Sequence, residues 1–371
     1  MKAGKHLIIA FVAVLLLSGS GYTQSASNRE SGFAVIAYYL GHGKDIEAYP
    51  VEKLTHIIYS FLHLEGNALR VQPQDSIGIT QLVSLKQRNP GLKVIVSLGG
   101  WGGCPTCPEV FATPDGRVEF SASVKDLLDK YHADGLDLDW EYPALASVPG
   151  FAYSSADKPN FTELIRTLRE TLGPDYELSF AAGGFREFLE QSVEWDKVMP
   201  YLNYVNLMTY DLVNGYSKST GHQTPLFSCP GQEGSVDFTV RFLDSIGVPK
   251  EKIVIGAAFY ARIFRNVENI NHGLFQPGQF NDYVNFRDFN SRLGPGSGFE
   301  QFWDPVSQAA YSYNRDKQLF ATYDEKKSVE LKSRYVKDHA LGGIMFWSLN
   351  GDQHQNGLLD VIDRVRKERI R

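Results

Sequence analysis

Eight short apolar segments, separated by amphipathic stretches, restrict the possible folds of this chain more than any other feature. They are Phe33–Tyr39, His56–Leu62, Lys93–Leu98, Gly135–Trp140, Glu177–Ala182, Tyr204–Thr209, Ile253–Phe259 and Gly343–Ser348. Runs such as Ile253-Val254-Ile255 put apolar side chains on both faces of a strand, as a parallel sheet covered on both sides requires. Between the strands, Phe120, Val124, Leu127, Leu128 and Tyr131 fall on one helical face. Phe161, Leu164, Ile165, Leu168 and Leu172 form a second stripe, with a capping-box-like start at Asn160 and Glu163 and a stop at Gly173-Pro174. Further helices are expected over 235–246 and 329–335. Strand followed by helix almost throughout predicts an α/β fold of the (β/α)8 TIM barrel type. A doubly wound sheet is disfavoured because no glycine-rich turn follows the first strand.

One connection is too long for a barrel loop. Roughly eighty residues separate Phe259 from Gly343, and they carry many aromatics among turn residues. A structureless loop of that length does not suit a compact protein, so 265–323 is expected to form a small inserted α+β domain between strands seven and eight. It follows the C-terminal end of a strand, where such barrels place their active sites, and should wall the cleft. Aromatic residues make up 13% of the chain and the formal charge is −6. Flat rings without a positive field suit a neutral ligand such as a sugar and argue against nucleic acid as a partner.

Residues 1–26 have the layout of a secretory signal peptide: Lys2 and Lys5, an apolar run from Leu7 to Leu17, then small polar residues. That run is far short of the ~20 residues needed to span a bilayer, and the segment contains no cysteine to carry a lipid. The expected product is secreted, extracellular or periplasmic, with its catalytic domain over 27–371, no membrane anchor and a monomeric state. Cys104-Pro105-Thr106-Cys107 follows a flexible glycine-rich loop and has no second pair nearby. A local loop disulfide or two free thiols is therefore expected rather than a redox or zinc centre.

The chemistry concentrates in Asp134-Gly135-Leu136-Asp137-Leu138-Asp139-Trp140-Glu141-Tyr142-Pro143. Side chains alternate faces along a strand, so Asp137, Asp139 and Glu141 point one way and Leu136, Leu138 and Trp140 the other. In a barrel the apolar set faces the helices. The three carboxylates then line the axis, rising about 6.6 Å per step, with Glu141 at the floor of the cleft. Three acids in a low-dielectric interior cannot all stay charged, so at least one carboxyl is pushed up toward the range of a general acid. The spacing does not fit a calcium-binding loop, and catalytic acids fit it better than metal ligands.

Asp134-x-x-Asp137-x-Asp139-x-Glu141 closely resembles the signature of glycoside hydrolase family 18, the chitinases and their relatives. Ser97-Leu98-Gly99-Gly100-Trp101 is similar to the family's strand-three motif, and Met208-Thr209-Tyr210-Asp211 to its strand-six motif. Tyr260-Ala261-Arg262 and Phe346-Trp347-Ser348 resemble the strand-seven and strand-eight patterns, and the long insertion resembles that of the bacterial deep-cleft chitinases.

This resemblance implies a chitinase that needs no cofactor or metal and hydrolyses β-1,4-linked N-acetylglucosamine polymers with retention. Its chemistry would be substrate-assisted, outside the usual two-carboxylate scheme. Glu141 would protonate the glycosidic oxygen, Asp139 would orient the substrate acetamide, Asp137 would share a proton with Asp139, and Tyr210 would donate to the acetamide oxygen. The implied sugar contacts are Tyr38, Phe61, Gly100, Trp101, Tyr142, Met208, Asp211, Tyr260, Arg262 and Trp347. Two alternatives stay open: an endo-β-N-acetylglucosaminidase acting on glycoproteins, and a non-catalytic chitin-binding relative.

Overall fold

Eight parallel strands close into a ring: β1 (Ala34–Leu40), β2 (His56–Glu65), β3 (Lys93–Gly99), β4 (Gly135–Asp139), β5 (Glu177–Gly183), β6 (Tyr204–Met208), β7 (Ile253–Ala258) and β8 (Gly343–Trp347). Each pairs with the next in chain order, and β8 returns to β1. The computed structural model describes residues 32–41 and 44–368; the expected signal segment at 1–26 lies outside them. The fold is a (β/α)8 TIM barrel.

Consecutive apolar residues in the strands serve two separate cores. Val35, Ala37 and Tyr39 of β1 belong to the large cluster between sheet and helices. Ala34, Ile36 and Tyr38 join Ile58, Ile95, Val254, Ala258 and Met345 inside the barrel.

The helices follow the expected stripes with adjusted ends. Pro114–Tyr131 buries Phe120, Val124, Leu127 and Leu128, and is capped by the Thr113 side chain. Ser235 caps the helix Val236–Ser245 through the Phe238 N–H. The helix Lys326–Asp338 runs beyond 329–335 at both ends. The second stripe begins earlier than Asn160: its helix is Asp157–Leu172, and Ala156 at the start offers no side-chain cap. Asp157 sets the entry instead, accepting from the backbone N–H groups of Ser154 at 2.8 Å and Ala144 at 3.2 Å.

After β7 the chain builds a second, antiparallel sheet of five strands. In spatial order these are Gln279–Asn285, Tyr260–Arg265, Leu319–Tyr323, Ala309–Asn314 and Glu300–Asp304. The sheet therefore starts at Tyr260, upstream of the expected boundary at Arg265. Tyr260–Arg265 stays extended as it leaves β7 and pairs on both edges within the new sheet. Asp324, just past the strand Leu319–Tyr323, fastens this sheet to the barrel. It accepts from the Ala258 N–H at the end of β7 (2.9 Å) and from Lys332 Nζ (2.6 Å), and both side chains are fully buried.

Candidate active site

β4 sets the acids in two environments. Leu136, Leu138 and Trp140 pack in the outer core, and Asp137 and Asp139 are buried inside the barrel. Glu141, two residues beyond Asp139, is half-buried at the C-terminal mouth.

Asp137 receives donors from four other strands or their ends. Tyr38 OH and Ser97 Oγ lie 3.0 Å from its Oδ2. Ser179 Oγ at 2.6 Å and Asn206 Nδ2 at 3.1 Å donate to Oδ1. Burial pushes the Asp137 carboxyl up, and these four hydrogen bonds oppose the shift. Asp139 is pushed well above the carboxylate range by burial first, then by the charges of Glu141 and Asp137. Its Oδ1 is buried with no hydrogen-bond partner. Of the two aspartates, Asp139 is pushed the further toward its protonated form. Glu141 is raised to about 7, first by burial and then by the charge of Asp211, with a hydrogen bond from Tyr142 working against the rise.

The other predicted residues gather around this stack. Tyr210 is buried with its hydroxyl 3.8 Å from Met345 Sδ and its ring edge-on to Tyr260. Burial and the charges of Asp139 and Glu141 raise it far above the usual phenol range, so it stays a neutral donor. Asp211 and Arg262 form a two-pronged ion pair with both contacts at 2.5 Å, and the Arg262 guanidinium lies over the rings of Tyr260 and Phe280. Met208, at the end of β6, packs against the inner cluster.

Aromatic rings surround the mouth. Trp347 stacks on Phe61 with centroids 5.5 Å apart and planes 15° apart, and lies 5.9 Å from Tyr38. Trp101 is 49% exposed on the rim, 6.3 Å from Tyr142 and 6.0 Å from Tyr216. The peptide bonds Ser60–Phe61, Glu141–Tyr142 and Trp347–Ser348 are cis.

The Gly99-Gly100 pair has a steric reason. Both have positive φ, 110° and 79°. A Cβ on Gly99 would lie 2.2 Å from the Asp139 carbonyl oxygen, and one on Gly100 would lie 2.3 Å from the Phe61 ring. With no side chain there, the Gly100 N–H donates to that same carbonyl at 2.9 Å. Farther along this loop Cys104 and Cys107 are joined as a disulfide, one of the two expected states.

Sequence reasoning missed Ser97, Ser179 and Asn206 as a group. The available signal was a polar residue at an inward register of three apolar strands, an arrangement that buries a polar group unless it has a partner. Tyr216 and Phe280 were also missed, because exposed or loop aromatics are ordinary away from a site.

Residues 21–352 match the family described as Glycosyl hydrolases family 18. Chitinase A1 of Niallia circulans is 33% identical over 302 residues, 75% of this chain and 43% of that protein, so the chain spans less than half the length of that relative. Chitinase B of Serratia marcescens is 30% identical over 387 residues, covering 84% of this chain and 76% of that protein. Among solved structures, a family 18 N-acetylglucosaminidase from Paenibacillus barengoltzii aligns with a TM-score of 0.82 at 36% identity, over 90% of this chain and 99% of that one. With the acid stack, its glycine-lined neighbour strand and these matches taken together, the chain belongs to glycosyl hydrolases family 18.

Proposed function

We propose that the chain is an exported chitinase that cuts β-1,4-linked N-acetylglucosamine polymers with retention. The observation that carries this is the graded stack: Asp137 saturated with donors, Asp139 with an unpartnered buried oxygen, and Glu141 raised to about 7 at the mouth. A carboxyl in that range is protonated often enough at neutral pH to act as a general acid. Glu141 protonates the glycosidic oxygen. The substrate's acetamide oxygen attacks the anomeric carbon and forms an oxazolinium ion. Asp139 holds the acetamide N–H, and the Tyr210 hydroxyl holds its oxygen in attack geometry. Water activated by Glu141, now a base, opens the ring. Trp347 and Phe61 provide faces for the sugar bound at the acids, whereas Tyr38, expected as a sugar contact, is buried beneath them on Asp137; Trp101, Tyr142, Asp211, Tyr260 and Arg262 line the path beyond. Export rests on the pattern of residues 1–26.

Glu141→Gln keeps the shape and removes the proton. It should lower kcat about 10²- to 10⁴-fold on a chitin hexamer while oligomer binding by titration calorimetry persists. Wild-type-like turnover in this variant rules out Glu141 as the acid.

A second reading is an N-acetylglucosaminidase that trims chain ends, favoured by the 99% coverage of the Paenibacillus enzyme. The first products from a reducing-end-labelled hexamer separate the two: monomer release supports trimming, and dimers or internal cuts support a chitinase.

A further inference from the structure

We propose that Asn206 is a positioning residue that favours the anion of Asp137 over its neutral form and so keeps the aspartates' proton on Asp139. This rests on the reading of Asp139 and Glu141 given above. Three of the four groups on Asp137 are hydroxyls, from Tyr38, Ser97 and Ser179. A hydroxyl both donates and accepts, so each could turn to receive a proton placed on Asp137. The Asn206 NH2 can only donate.

Asn206 is fully buried. Its Nδ2 is 3.1 Å from Asp137 Oδ1 and 3.4 Å from both Tyr38 OH and Ser179 Oγ. Its Oδ1 is buried without a partner. Leaving a buried carbonyl oxygen unpaired is costly. Reversing the amide would turn that oxygen toward Asp137, Tyr38 and Ser179, where it would favour a protonated Asp137. The orientation present gives up one acceptor's hydrogen bond to keep a donor on Oδ1, which holds the anion more strongly than the neutral acid and leaves a proton on Asp137 only Oδ2, between Tyr38 and Ser97.

The titratable groups that face Asp137 are Tyr38 on β1, Asp139 on β4 itself and Tyr210 just beyond β6. Both tyrosines are held well above the phenol range by burial and by the nearby carboxylates, so neither supplies a competing charge. The active form then carries one proton on the aspartate pair. Below some pH a second proton enters at Asp137 and activity is lost.

The test is the kcat–pH profile of the wild type, Asn206→Leu and Asn206→Ser on a chitin hexamer, with melting temperature and near-ultraviolet circular dichroism recorded alongside. Loss of the obligatory donor should move the acid limb of Asn206→Leu upward by about one to two pH units. The alkaline limb, set by Glu141, should stay in place. Asn206→Ser should shift the acid limb the same way, because its hydroxyl can also accept. If Asn206→Leu does not fold, the serine variant decides by the same criterion. Lower kcat at every pH with an unmoved acid limb overturns the proposal and leaves Asn206 a packing role. A wild type that leaves the hexamer intact overturns the chitinase reading as well; a wild type that cleaves it beside variants with unmoved limbs overturns only the role of Asn206.

Discussion

In the proposed reaction Glu141 has to be acidic enough to give up a proton to a leaving oxygen and basic enough to hold one near neutral pH. Its half-buried position meets both demands: burial, with a smaller contribution from the charge of Asp211, brings the carboxyl to about 7. Because the protonated form is the proposed acid, activity should fall as pH rises through about 7. Asp211→Asn removes a negative neighbour, so Glu141 loses its proton more readily and the alkaline limb should move to lower pH. A kcat–pH profile checks both statements; a limb that stays put in Asp211→Asn contradicts the coupling. The three acids were legible in the sequence because each alternates with Leu, Leu or Trp, a pattern that no solvated acidic edge needs. The donors on Asp137 were not: Ser97, Ser179 and Asn206 were missed, and Tyr38 was expected only as a sugar contact. Tyr38, Ser97, Ser179 and Asn206 are scattered over the chain, and only closure of the barrel brings them to one carboxylate.

The elements that carry these residues depend on close approach and on a few polar fastenings. Gly100→Ala would set a methyl against the Phe61 ring at a positive φ that alanine resists. This variant should lower kcat/KM and cost roughly 1–3 kcal/mol of stability, read by steady-state kinetics and chemical denaturation. The second sheet has its own pH signature. His222, in the segment after β6, is buried and bonds Asp304 Oδ2 through Nε2 at 2.9 Å. That bond, with help from the Val306 and Ser307 N–H groups, holds the Asp304 carboxyl below its usual range. A depressed carboxyl stabilises the fold above its unfolded value near 3.9 and loses that contribution as pH falls through the folded value. Asp304→Asn should therefore lower stability by about 2 kcal/mol at pH 7, and the gap from wild type should narrow below about pH 4. An unchanging gap across that range contradicts the linkage. Element boundaries were legible in the strands to within a few residues, because each apolar run is bounded by turn residues. They were not legible at Tyr260, where Phe259-Tyr260-Ala261-Arg262 reads as one extended segment although the chain changes sheets within it. Nor did the Asn160 pattern locate the start of its helix, since Asp157 makes its hydrogen bonds to backbone outside the local cap.

In the whole molecule, barrel and second sheet meet at a buried charge pair. Asp324 and Lys332 are both fully buried, and Asp324 also reaches the Ala258 N–H at the end of β7. Removing one partner strands the other charge in the interior, so Asp324→Ala should cost roughly 3–5 kcal/mol. Replacing both, as in Asp324→Leu with Lys332→Met, should recover much of that loss, and thermal melting of the single and double variants measures it. The strand that precedes Asp324, Leu319–Tyr323, pairs with Tyr260–Arg265, which carries Arg262. The central claim, that the acid stack works through an acetamide supplied by the substrate, is tested most directly by initial rates on two hexamers, one of N-acetylglucosamine and one of glucosamine. The account predicts cleavage of the acetylated hexamer and none of the other. Comparable rates on both, or no cleavage of the acetylated one, would contradict it.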